Sequence, residues 1–149
     1  MLALRNRGID KIGKEADLEG GIYDLTLAER FGPLDTEAQG FLNWSKLYIT
    51  GASFWEIDWG QAVYYFGQVA PHLPNLRDGS GWTATERYRI SLVNYGDILA
   101  NQKQWCKAME HFQLALSMGY DTQVEQALNG VTKRCIGDQE EPTEEGQDP

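Results

Sequence analysis

Residues 85–119 read TERYRISLVNYGDILANQKQWCKAMEHFQLALSMG, and the apolar spacing in this stretch decides the fold. Leu92, Tyr95, Gly96 and Leu99 fall at i, i+3, i+4 and i+7, which places them on one stripe of an α-helix. The spacing predicts a helix from about Thr85 to Asn101, with Thr83 or Thr85 as its cap and Glu86 in the first turn. Asn101-Gln-Lys-Gln then turns the chain. Trp105, Ala108, Phe112 and Ala115 form the stripe of a second helix, from Trp105 to Met118, which Gly119 ends. The result is a helical hairpin, with Gly96 twelve residues before Ala108.

The second-helix pattern recurs. Trp105, Ala108, Phe112, Ala115 and Tyr120 are matched at the same offsets by Trp59, Ala62, Phe66, Val69 and Pro74. A more degenerate copy reads Leu18, Gly21, Leu25, Ala28 and Pro33. In all three, an aromatic residue or Leu is followed at +3, +4 and +3, with a stop five residues later. The middle copy predicts a first helix from Thr36 to about Thr50, with Phe41, Trp44, Leu47 and Tyr48 along one face. A turn, Gly51 to Asp58, then leads to a second helix from Trp59 to Ala70 that ends at Pro71 and Pro74. The first copy has a weaker leading helix, about Leu2 to Glu15, with Leu4, Ile9 and Ile12 as its stripe. A last helix, Asp121 to Cys135, turns Val124, Leu128 and Val131 inward and closes the series.

This pattern resembles the tetratricopeptide repeat family, whose unit is a helix–turn–helix of 34 residues. The resemblance implies an all-α, right-handed solenoid of helical hairpins. It contains about three irregular repeats (about 2–35, 36–75 and 84–120) and a capping helix at 121–135, about seven helices within a domain spanning 1–136. The stops Pro33, Pro74 and Tyr120 stand 41 and 46 residues apart, so the repeats are longer than the family norm. The excess lies in the Gly51–Asp58 turn and in the linker from Pro71 to Trp82.

The 149 residues suit one domain, and 42% hydrophobic content excludes a disordered chain. Of the net charge of −9, six acids and no base fall within 137–149. That segment reads as a disordered acidic tail, with an acidic interaction tail as the sharper alternative. The remaining body holds thirteen bases against sixteen acids and shows no basic stripe, which argues against nucleic acid or an anionic membrane as partner. No run reaches the length of a membrane-spanning helix, and the N-terminus lacks the apolar core of a signal peptide.

Chemistry is sparse. His72 and His111 have no partner spaced for a metal or a triad, and Asp78-Gly-Ser-Gly lacks the Lys of a phosphate loop. Glu56 and Asp58 read as helix-capping acids, and the sequon Asn43-Trp-Ser lies inside a predicted helix. The expectation is a chain with no enzymatic activity, catalytic residue, cofactor or metal site. Cys106 and Cys135 are the only cysteines. In an antiparallel pair turning near residue 120, Cys106 faces about residue 134, which positions the two thiols to bridge. Two reduced, partly buried cysteines are the alternative. A bridge implies an oxidising compartment outside the cytosol, and its absence a cytoplasmic protein. The Trp-Cys at the head of one helix with a Cys ending the next is similar to repeat domains in exported parts of bacterial membrane proteins.

In the family, first helices line a concave groove that takes a peptide or a partner protein. Carried onto the best repeat, the groove positions are Ile90, Val93, Asp97, Ala100 and Asn101. They form no cluster of bases, so an apolar or basic ligand suits them. The expected function is therefore a protein-interaction scaffold, either on its own or as one part of a larger polypeptide. The alternative is a glycan- or ligand-binding accessory module that stacks its ligand on the loop aromatics Phe54, Trp55 and Trp82. Those three rings can equally fold back as small satellite cores under the loops.

Overall fold

The computed structural model describes residues 1–140, with side chains described as far as Asp138. Among the described residues seven helices form: α1 (Leu2–Gly13), α2 (Leu18–Glu29), α3 (Thr36–Ser53), α4 (Trp59–Val69), α5 (Ala84–Asn101), α6 (Trp105–Met118) and α7 (Thr122–Glu140). The described residues contain no strand, only an isolated antiparallel bridge between Arg77 and Thr83.

Helix starts follow the local chemistry. Asp17, Asp35 and Asp58 each accept a hydrogen bond from the backbone N–H three residues on, so each satisfies one orphan donor of the helix that follows. Thr83 rather than Thr85 caps α5: its hydroxyl accepts from Glu86 N–H and donates to the Glu86 carboxylate. Asp121 does the same work for α7, accepting from Gln123 and Val124 N–H.

Two boundaries differ from expectation. The helix expected to end near Thr50 continues to Ser53, so Gly51 lies inside α3 and the connection to α4 shrinks to residues 54–58. Helix α7 continues past Cys135 to Glu140, so 137–140 are helical and not the start of a tail. The remaining tail residues lie outside the described part of the chain.

The chain divides into two compact units, 1–88 and from Arg89 onward, with the division inside α5. In the first unit α1 packs on α2 and α3 on α4, while α2 also meets α3 and α1 reaches α3. Its core gathers Ile12, Leu18, Leu25, Leu42, Tyr48, Phe66 and Val69, all nearly or fully buried. In the second unit α6 packs on α7, and Leu99, Ala108, Phe112, Val124 and Val131 form the core. Trp59 packs on the first core and Trp105 on the second, where the guanidinium of Arg134 lies 4.7 Å from its ring.

The same close approach recurs in three helix pairs. A Cβ placed on Gly8 would stand 2.8 Å from Leu25 Cγ, one on Gly51 3.0 Å from Phe66 Cε2, and one on Gly96 2.7 Å from Phe112 Cε1. At each site a small residue on one helix makes room for the large central residue of the next, and any added methyl would push the helices apart.

Candidate functional site

Helix α5 carries all five expected groove positions, at spacings that keep them on one side of the helix. Their environments differ. Val93 and Ala100 are half-buried and pack against the core of the second unit. Ile90 is half-buried, and its carbonyl accepts from the Asn94 side chain at 2.9 Å. Asp97 and Asn101 are exposed. Partial desolvation by the atoms around its base nevertheless raises the Asp97 carboxyl above the ordinary carboxylate range. Of the five, only Asp97 and Asn101 are exposed, and Val93 also packs inward.

The loop aromatics occupy three different settings. Trp55 is half-buried, edge-on to Trp59 at 4.9 Å and to Phe66 at 6.1 Å, with the Arg87 guanidinium 4.7 Å from its ring. Phe54 is half-buried and lies parallel to Tyr65 at 5.9 Å. Trp82 is 42% exposed. Trp55 is thus a packing residue beneath the loops, and of the three only Trp82 is exposed.

What holds the 71–83 linker was not evident in the sequence. Arg87, 6% exposed, donates from Nε to the Tyr48 hydroxyl at 2.8 Å. Its terminal nitrogen reaches Asp78 at 3.1 Å and Ser80 Oγ at 3.2 Å. The guanidinium also faces the rings of Tyr48, Trp55 and Phe66. The Tyr48 hydroxyl in turn donates to the Trp82 carbonyl. Burial pushes the Tyr48 phenol up to about 12, so it stays a neutral donor at physiological pH. Burial works against the Asp78 carboxylate, but hydrogen bonds from Ser80 and the charge of Arg87 outweigh it and hold the group below its usual range. At the other end of the linker, His72 lies flat on Trp44, with ring centres 4.2 Å apart and an interplanar angle of 10°. Apart from its Asp-Gly-Ser turn, this cluster leaves no sequence signature, because Tyr48 and Arg87 are 39 residues apart.

A second buried ionic site fixes α2 on α1. Asp24 is 1% exposed and accepts from Arg7 at 2.8 and 3.0 Å, with Lys11 Nζ at 3.0 Å. The hydrogen bonds from Arg7 hold its carboxyl below the usual range against the cost of burial.

Cys106 and Cys135 sit at disulfide-bonding distance with Cα atoms 4.8 Å apart, which joins the first turn of α6 to α7. His111 accompanies α6 as a surface residue, its Nδ1 2.8 Å from the Lys107 carbonyl and its ring edge-on to Tyr95. Among the described residues no three His, Cys, Asp or Glu side chains gather closely enough to hold a metal ion. Among the same residues, no helix is long and apolar enough to cross a membrane. Comparison with family models, with curated proteins and with solved structures finds no match to this chain.

Proposed function

We propose that this chain is a non-catalytic scaffold of tetratricopeptide type, a short irregular solenoid that captures a polypeptide partner along its first-helix face. The observation that supports this reading most directly is the recurring fit of a small residue against a large one. Gly8 against Leu25, Gly51 against Phe66 and Gly96 against Phe112 repeat one packing solution in three successive helix pairs. Packing of this kind uses the glycine-bearing side of each first helix and leaves other sides available to a partner. On α5 the available side presents Asp97 and Asn101, with Ile90, Val93 and Ala100 as a partly covered apolar base. Such a surface favours a peptide with basic and apolar residues. The bridge between Cys106 and Cys135 favours an oxidising compartment.

Selection from a random displayed-peptide library tests this. The wild-type protein is expected to enrich basic, apolar-containing peptides, and Asp97→Lys combined with Asn101→Arg is expected to lose them while helicity by circular dichroism is unchanged. Both substitutions are at exposed positions, so the core is spared. No enrichment, or enrichment untouched by the double variant, would overturn the assignment.

A further inference from the structure

We infer that the first unit also binds a small monocarboxylic acid with an apolar body, in a cavity under the 71–83 linker that is separate from the α5 face. The cavity has a volume of about 200 Å³ and is lined by the end of α1, by α3 and by linker residues Leu73 to Arg77. Its base is formed by Ile12 and Leu76, 2% and 6% exposed, and its walls by the half-buried Phe41 and Leu73. The apolar side chains suit an aliphatic or phenyl group, while Asn75 and Arg77 add polar lining.

The wall is built before any ligand arrives. Leu76 N–H donates to the Leu73 carbonyl at 3.1 Å, and the Leu76 carbonyl accepts from Ala84 N–H at 2.7 Å. One residue on, Arg77 bridges to Thr83, and beyond it Asp78 is held by Arg87. A ligand therefore need not order the linker, which lowers the cost of binding.

The mouth is electrostatically one-sided. Among the described residues no Asp or Glu lines the cavity, and Arg77 is the charged residue among those that do. Among the described residues, Arg77 is exposed and has no carboxylate within salt-bridge distance, in contrast to Arg5, Arg7 and Arg87. A guanidinium fork beside an apolar pocket is complementary to a carboxylate that trails an apolar body. The volume lies below the range of drug-sized sites, so the fitting ligand has about six to ten heavy atoms.

Hexanoate is the probe. Titrated into the ¹⁵N-labelled full chain, it is expected to produce saturable shifts of the Gly13, Leu76 and Arg77 amides, with a Kd on the order of 1 mM. Hexanamide, which keeps the chain and removes the charge, is expected to bind roughly tenfold more weakly, as is hexanoate to Arg77→Gln. A steric variant closes the test. A Cβ on Gly13 meets only Phe41 Cε1 at an ordinary 3.9 Å, so Gly13→Leu preserves α1 and directs its side chain into the cavity. It is expected to abolish the shifts while the rest of the spectrum stays native. No saturable shift up to about 20 mM hexanoate overturns the proposal. So does equal binding of the amide, or unchanged binding in Arg77→Gln or Gly13→Leu.

Discussion

In the first unit the helices close around Phe66 and are tied by ion pairs and by a buried arginine, whereas the second closes around Phe112 and carries a disulfide. The steric problem is the same in both, a glycine on one helix receiving a phenyl ring from the next. The fastening differs with what each unit must hold. The first has a thirteen-residue linker, 71–83, whose irregular backbone needs side-chain partners, and Arg87 provides them from a helix start. Among its described residues the second has two short turns, 102–104 and 119–121, and the long helix α7, and a single covalent link joins α6 to α7. The irregular linker is thus held by a polar network, while the α6–α7 pair is held by apolar contact and a staple.

The comparison can be broken most sharply at Arg87. Arg87→Ala leaves the Tyr48 hydroxyl and the Asp78 carboxylate short of a partner in a covered site, and about 3–5 kcal/mol of stability should disappear from the first unit. Hydrogen exchange is expected to accelerate throughout 1–88, most of all at 71–83; an effect no larger there than elsewhere would contradict the anchoring role. Next in size, Cys106→Ser with Cys135→Ser should cost roughly 3–4 kcal/mol, the loop-closure entropy of a bridge across 29 residues. Urea unfolding followed at Trp105, with Trp44, Trp55, Trp59 and Trp82 replaced by Phe, would register this loss. Exchange in 1–88 should be unaffected.

Asp24→Asn should have a smaller effect, about 1–2 kcal/mol. The carboxylate is covered, but Arg7 is 58% exposed, so solvent screens the pair. Thermal unfolding read against the wild type measures this. Acid should produce the smallest and most diagnostic difference. Asp24 and Asp78 are held below their unfolded values, so their stabilisation is present above about pH 4 and is lost as pH falls through the lower folded values. Asp97 is raised, so the folded second unit takes up its proton first and gains slightly as pH falls toward 4. Exchange protection across pH 6 to 3 should therefore decline first in 1–88. A parallel decline in both units would show that these carboxylates do not govern acid stability.

Much of the helical layout was legible in the sequence because each helix is specified by its own neighbours. Periodic apolar residues located α4, α5 and α6 to within a residue or two, with Asp58 and Thr83 marking the starts of α4 and α5. Gly51 shows where this reading stops. As a glycine after Thr50 it reads as the opening of a turn, yet it is buried inside α3 because Phe66 needs the space. Its role depends on a residue fifteen positions away. The α5 face was legible as a set of positions, but not the division between Val93, which packs inward, and Asp97, which is exposed.

By itself, the sequence determined an all-helical chain, the phase of its repeating stripe and the nearness of Cys106 to Cys135, since helical period and antiparallel register are local geometry. Only the tertiary structure decided that Trp55 is a packing residue, that Arg87 anchors the linker, and that Arg77 lines a cavity with no carboxylate partner among the described residues. Those outcomes depend on desolvation and on contacts between residues far apart in the chain. A linear pattern carries no information about which charges become buried together.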